Sequence, residues 1–161
     1  MTEAKAYYAG GCFWGVEHLF QSKSGVLSAV SGYMGGPVDN PTYQEVCTGQ
    51  TGHLEVVEIT YDPEQASFEE LTKFFFEIHD PTQANGQGPD IGLQYLSAVF
   101  YNSEDEKATT EDLIDQLKKK GFDVVTRVNP MENFWQAEDY HQDYYVKKNK
   151  QPYCHMYQKK F

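Results

Sequence analysis

Cys12 stands in the stretch Gly10-Gly11-Cys12-Phe13-Trp14-Gly15. Glycines on both sides let the backbone approach closely, and Val16, Leu19 and Phe20, spaced i, i+3, i+4, put a helix directly behind the thiol. A thiol just before a helix faces unpaired N–H groups and the positive end of the helix dipole, which favours the thiolate, the form that attacks electrophiles. From position alone Cys12 is either such a nucleophile or a buried small hydrophobe. Phe13 and Trp14 weigh toward the first, because bulky aromatics suit a turn poorly and the wall of an apolar pocket well. Glu55 is the second chemical group. It shares a strand face with Val57 and Ile59, where desolvation raises a carboxyl pKa and keeps a proton available for general-acid work. Its alternative is a carboxylate on a solvated strand edge, which the apolar neighbours disfavour. Glu58, on the opposite face, is the comparison.

The chain has three cysteines, so they cannot all pair within it, and at least one thiol is unpaired or cycling. Cys154 lies in Gln151-Pro152-Tyr153-Cys154-His155, in a polar tail that can reach other surfaces; it is either a partner for Cys12 or a surface thiol with no role. Cys47, between Val46 and Thr48 at the end of a loop, is expected to be structural. The cysteines lack Cys-x-x-Cys spacing, so no metal or other cofactor is expected. His18, His53, His79, His141 and His155 could pair with a thiol in cysteine-hydrolase chemistry, but none sits in a motif that makes the pair specific.

The elements that must carry these groups alternate irregularly. A strand is expected over Ala4 to Ala9, then the helix behind Cys12, closed by Gly25. Val26 to Tyr33 reads as a strand, and residues 34–52, rich in Gly and Pro, as a long loop. His53 to Tyr61 is apolar on both faces, which fits a central strand. Ser67 and Glu70 form a capping box for a helix through Phe68, Leu71, Phe75 and Ile78 to His79, stopped by Pro81. Residues 81–94 read as a second polar loop, Tyr95 to Tyr101 as a strand, and Ser103 to Lys120 as a third helix ending at Gly121. Val124 to Val128 reads as a last short strand, followed by a short helix around Glu138 to Val146 and the tail. Such an order predicts a two-layer α+β sandwich with a long irregular C-terminal segment.

At 161 residues the length suits one domain over 1–161, with 147–161 a mobile tail. A net charge of -11 repels phosphate backbones and acidic lipid surfaces, so neither nucleic acid nor membrane is an expected partner. Without a signal-peptide-like start or a membrane-length apolar run, a cytoplasmic monomer is expected. Charge divides along the chain: residues 1–117 hold 4 basic and 19 acidic side chains (net -15), and residues 118–161 hold 9 basic and 5 acidic (net +4). Attraction between the acidic body and the basic tail would weaken with salt.

The stretch Gly11-Cys12-Phe13-Trp14-Gly15 resembles the signature of the type A peptide methionine sulfoxide reductases. The resemblance continues, in order, through Pro41-Thr42-Tyr43-Gln44-Glu45-Val46-Cys47-Thr48-Gly49 and Thr51-Gly52-His53-Leu54-Glu55-Val56-Val57. Further on it includes His79-Asp80-Pro81-Thr82-Gln83, Gln87-Gly88-Pro89-Asp90, Gln94-Tyr95, Ser97 and Ala137-Glu138-Asp139-Tyr140-His141-Gln142. It implies reduction of methionine S-sulfoxide, protein-bound or free, by Cys12. It also implies Glu55, Tyr43, Tyr95 and Asp90 at the sulfoxide, Phe13 and Trp14 around the S-methyl group, and Cys154 as the thiol that resolves a Cys12 sulfenic acid, with thioredoxin or a similar dithiol regenerating both. The implied sheet is mixed but mostly antiparallel, with a ferredoxin-like core. Leu93, Leu96 and Gly86 depart from the family pattern, where threonine, arginine and arginine are usual, which questions the rigidity of the loop before Tyr95. A cysteine peroxidase would use the same two thiols, but an acid beside a methyl-sized aromatic pocket suits a sulfoxide better than a small peroxide.

Overall fold

The computed structural model describes residues 3–88, 90–142 and 157–161; Cys154 and the other residues of 143–156 lie outside the described residues. Six strands form one sheet in the order β7-β6-β1-β3-β2-β8, built from β1 (Ala4–Gly10), β2 (Val26–Met34), β3 (Leu54–Tyr61), β6 (Ser97–Tyr101), β7 (Arg127–Pro130) and β8 (Trp135–Gln136). Every pairing is antiparallel except β6 with β7. Glu55 and Tyr33 are register partners on β3 and β2.

Alternation along the central strands sorts the core into two faces. Ala6 and Tyr8 of β1 join Val57, Ile59 and Tyr61 of β3 under the helices α1 (Phe13–Gln21), α3 (Phe68–Glu77) and α4 (Glu104–Lys119). Tyr8 is the hub of that side, stacked on Phe20 at 5.4 Å and Phe75 at 4.9 Å between ring centroids, with its hydroxyl 2.8 Å from Thr72 Oγ1. Tyr7, Ala9, Leu54, Val56 and Ala98 point the other way, where loop residues Leu93, Leu96 and Phe134 cover them. Glu58 accepts from the Tyr7 hydroxyl at 2.9 Å and pairs with exposed Lys5 at 3.4 Å, so it is partly exposed and partnered while Glu55 is buried.

Several elements depart from the sequence expectation for local reasons. The loop over 34–52 contains a five-residue helix, α2 (Tyr43–Cys47), held by a complete capping box between Thr42 and Glu45. At Ser67 the box is half formed: its hydroxyl accepts from Glu70 N–H, and Glu70 turns its carboxylate to that hydroxyl instead of the backbone. The loop over 81–94 closes into a two-stranded hairpin of β4 (Gly86–Gln87) and β5 (Asp90–Ile91). Leu93–Tyr95 curl into a 3-10 turn, so β6 starts at Ser97 and not at Tyr95. The last expected strand moves to 127–130, because Val125 N–H is taken by the Pro81 carbonyl at 2.8 Å. Within the helix expected over Glu138 to Val146, Asp139–His141 form a 3-10 turn, and everything from 143 lies outside the described residues. Of the expected mobile tail, residues 157–161 are docked against the end of α3. No described helix is long and apolar enough to cross a membrane.

Candidate active site

β1 hands the chain to α1 through Gly11, whose φ of +93° is open to glycine at little cost, and Cys12 occupies the position immediately ahead of α1, 6% exposed. Gly10 matters for packing: a Cβ there would lie 2.9 Å from Phe75 Cε1, so the bare glycine lets α3 close on the end of β1 beside the thiol.

Glu55, 1% exposed, reaches from the middle of the sheet to the same helix start, where its Oε1 accepts the Phe13 N–H at 3.1 Å. Burial drives its pKa well above the ordinary 4.5, and the neighbouring Cys12 adds to this; the Phe13 N–H opposes it. Its other oxygen, Oε2, is buried with no hydrogen-bond partner among the described residues. A carboxyl with one oxygen satisfied and the other bare, in a dry site beside a thiol, holds a proton and has an unused donor direction.

Two phenols complete the surroundings. Tyr43 heads α2, and its backbone N–H donates to Glu138 Oε2 at 3.1 Å while the Tyr33 hydroxyl donates to Glu138 Oε1 at 3.0 Å, so Glu138 ties α2 to the sheet. Burial would lift the Glu138 pKa, but hydrogen bonds from its own and Tyr43 N–H groups and from Tyr33 hold it below the ordinary range. Tyr95 ends the 3-10 turn that follows Gly92. Burial, then the charge of Glu55, raises both the Tyr43 and Tyr95 pKa values, so each phenol stays a neutral donor. Asp90 acts electrostatically on both Glu55 and Tyr95, and Cys12 does the same, which links all five groups expected at the sulfoxide into one cluster.

The hairpin that carries Asp90 is stitched by amides. Gln87 exchanges two hydrogen bonds with the Asp80 backbone, at 2.8 and 2.9 Å, and Gln83 does so with Gly88 at 2.8 and 3.1 Å. The departures in this region have physical reasons: a Cβ at Gly86 would lie 2.1 Å from the Asp90 carbonyl oxygen, so no arginine fits that backbone. Leu93 and Leu96 trade polar contacts for packing on the second core cluster.

Phe13 is buried and Trp14 half-buried, and together with Tyr43 and His141 they form an aromatic group. Its closest ring pair is Tyr43 and His141, 4.2 Å between centroids, and Trp14 stacks on His141 at 5.5 Å. The indole N–H of Trp14 donates to His141 Nδ1 at 2.9 Å, and burial lowers the His141 pKa against the pull of Glu138. Cys47, expected to be structural, is exposed and follows Tyr43 by one helical turn. Burial raises its pKa, the Tyr43 side chain lowers it, and Glu55 and Cys12 raise it again, so it stands at the edge of the cluster. The hydrolase alternative loses two candidates. His53 uses its ring nitrogens on Gly36 N–H and the Val38 carbonyl, and His79 uses its own on the Phe75 carbonyl and the Ser97 hydroxyl.

Sequence reasoning gave Glu138 no role and weighed His141 only as a hydrolase partner, since both reach the site through tertiary packing, and it read α2 as loop although the pattern Thr42-x-x-Glu45 does signal it. Cys154 is the one expected site residue outside the described residues.

The family model for peptide methionine sulfoxide reductase matches residues 4–161. The MsrA protein of Nautilia profundicola is 51% identical over 150 residues, covering 93% of this chain and 87% of that one. Mxr1 of Saccharomyces cerevisiae in its reduced form superposes with a TM-score of 0.91 at 34% identity, covering 97% of this chain and 92% of that one. Methionine sulfoxide reductase A of Corynebacterium diphtheriae gives 0.84 at 37% identity, over 94% and 77% of the two chains. A thiol at a helix start, a buried carboxyl beside it whose pKa burial raises, and a family match over nearly the whole length agree: the chain belongs to the peptide methionine sulfoxide reductase family.

Proposed function

We propose that this protein reduces methionine S-sulfoxide, protein-bound or free, with Cys12 as nucleophile and Glu55 as general acid. The observation that carries the reading is the bare, buried Oε2 of Glu55 at the helix start that Cys12 precedes. A sulfoxide sulfur is a poor electrophile until its oxygen accepts a strong hydrogen bond or a proton. Glu55 supplies that proton, and the hydroxyls of Tyr43 and Tyr95 donate to the same oxygen without bringing charge into an apolar site. Asp90 polarises Tyr95. Phe13 and Trp14 receive the S-methyl group, for which aromatic rings suit both sulfur and methyl contacts. The Cys12 sulfur attacks the sulfoxide sulfur, forming an S–S bond as the protonated oxygen leaves as water; a water then adds its oxygen to the Cys12 sulfur and the S–S bond breaks with its electron pair on the departing sulfur, so methionine and a Cys12 sulfenic acid form. Cys154 then attacks the sulfenic sulfur and water leaves, giving a Cys12–Cys154 disulfide. A dithiol of the thioredoxin kind reduces that disulfide; Mxr1 has also been solved in complex with Trx2. The unit is a single catalytic domain over 1–161 acting as a cytoplasmic monomer. Its core is ferredoxin-like, a reading supported by the antiparallel order β6-β1-β3-β2 with α1 and α3 as crossovers.

The test incubates the protein with each sulfoxide epimer and no reductant, counting methionine formed and thiols lost. The S epimer is expected to yield methionine, with two thiols lost. No methionine from either epimer, or turnover retained by Cys12→Ser, refutes the reading. Cys154→Ala is expected to form about one methionine per enzyme and then stall with thioredoxin; undiminished turnover there moves the resolving role to Cys47.

A further inference from the structure

Tyr33 is fully buried near the end of β2, so its hydroxyl needs an acceptor, and the first N–H groups of α2 lack one inside that five-residue helix. One carboxylate serves both. Glu138 Oε1 takes the Tyr33 hydroxyl at 3.0 Å and Oε2 takes the Tyr43 N–H at 3.1 Å, across 105 and 95 residues of chain. Burial lifts the Glu138 pKa, but these donors and its own N–H outweigh it, so the group is ionised and both oxygens accept. The carboxylate is itself held to the sheet. β8 pairs with Gly32 and Tyr33, the Ala137 N–H donates to the Ser31 carbonyl at 2.9 Å, and the Gln142 amide makes two hydrogen bonds of 2.9 Å with the Ser31 backbone. A Cβ on Gly32 would lie 2.5 Å from the Trp135 carbonyl oxygen, so the bare glycine is what lets β8 lie this close.

These contacts close a ring of constraints around the sulfoxide site. Glu55 and Tyr33 are register partners on β3 and β2, Glu55 Oε1 accepts the Phe13 N–H, and the Phe13 ring packs on Tyr33 at 5.7 Å and on Tyr43 at 6.2 Å between centroids. Tyr33 and Glu138 thereby refer the backbone of Tyr43 to the strand pair that carries the general acid, while His141, 4.2 Å away, packs on the Tyr43 ring. We propose that Glu138, held by Tyr33, is a positioning residue for sulfoxide reduction: it fixes where the Tyr43 phenol meets the sulfoxide oxygen relative to Glu55. Neither Glu138 nor Tyr33 needs to touch the substrate for this. A donor displaced by ~1 Å from a reacting atom can cost as much as 10²-fold in rate. The inference deepens the reductase reading above and rests on the roles given there to Cys12, Glu55 and Tyr43.

The experiment uses the full chain, methionine S-sulfoxide and no reductant, and follows the burst of methionine in a single turnover. It compares Glu138→Ala, Glu138→Gln, Tyr33→Phe, Tyr43→Phe and the double variant Glu138→Ala with Tyr43→Phe. Tyr43→Phe and Glu138→Ala should each slow the burst ~10- to 100-fold. The half-saturating sulfoxide concentration should stay within about twofold of wild type, because Phe13 and Trp14 still receive the methyl group. Glu138→Gln should remain within about threefold of wild type, since its amide oxygen can accept the Tyr43 N–H while its NH2 donates to the Tyr33 oxygen. Tyr33→Phe, which frees one end of the carboxylate, should fall between the two. The double variant should be no slower than Tyr43→Phe alone, within about twofold, because a residue that acts through the phenol has nothing left to position. Losses that multiply in the double variant overturn the proposal, as does a wild-type burst in Glu138→Ala or in Tyr43→Phe. If Glu138→Ala is unfolded, Tyr33→Phe alone and combined with Tyr43→Phe decides by the same comparison. Absence of methionine from the wild type sinks the reductase reading and this inference with it, whereas a wild-type burst with multiplying losses sinks this inference alone.

Discussion

Glu55 unites two properties that a solvated carboxyl cannot have together, burial against a thiol and a retained proton. Its folded-state pKa lies well above the ordinary 4.5, raised by burial and then by Cys12. The folded protein therefore keeps a proton that the unfolded chain releases as pH rises past about 4.5, so this group costs stability from there upward, through its folded pKa. Glu55→Gln removes the cost. Its melting temperature should exceed that of the wild type at neutral pH, and the gap should close below pH ~4. Equal melting curves at pH 7 would mean that the Glu55 pKa is not raised in the fold. Activity should move the opposite way. The amide still donates a hydrogen bond but no proton, so Glu55→Gln retains a fraction of the rate and Glu55→Ala less, on the order of 10²- to 10⁴-fold below wild type. The wild-type rate should fall as pH rises through the Glu55 pKa, and this limb should vanish in Glu55→Gln.

Short elements, more than long ones, set the positions of the tyrosines. α2 has five residues and one buried side chain, Val46, so its cap is a large part of what holds it. Thr42→Ala should cost about 1 kcal/mol in urea unfolding and lower kcat, because Tyr43 is the first residue of α2. A drop in stability with unchanged kcat would show that Glu138 alone holds Tyr43. Gly86→Ala should cost about 1 to 3 kcal/mol and raise KM, since its Cβ would displace the Asp90 backbone. These elements also mark where the sequence could be read. Cys12 ahead of a helix and Glu55 on a buried strand follow from local periodicity, and both are where they were expected. Tyr95 falls in a turn and not at a strand start, because the bend depends on Gly92 and on packing of Leu93 and Leu96. Glu138 and His141 lie some hundred residues along the chain from Tyr33, Tyr43 and Trp14, and no local pattern announces that meeting.

Across the whole molecule, the charge division read from the sequence has a local counterpart. The basic end of the chain meets Glu77 and Asp80 through Lys160, whose pKa burial lowers and those two acids raise. Most contacts of that end, however, are backbone N–H groups on the buried Glu77 carboxylate and the Phe161 ring near the ammonium groups of Lys73 and Lys120, and partly buried contacts are screened little. Raising salt from low to physiological strength and beyond should therefore slow Cys12–Cys154 disulfide formation by less than about twofold. A steep decline would instead assign the approach of the tail to long-range attraction between the acidic body and the basic end.

The donors around Cys12 have a consequence for what happens once the oxygen has moved. In the proposed reaction Glu55, Tyr43 and Tyr95 all donate to a single atom, the sulfoxide oxygen. Methionine lacks that atom, and its thioether is a weak acceptor. The interactions that seat the substrate are therefore abolished by the reaction itself, so the product is bound more weakly than the substrate and vacates the site without a separate opening motion.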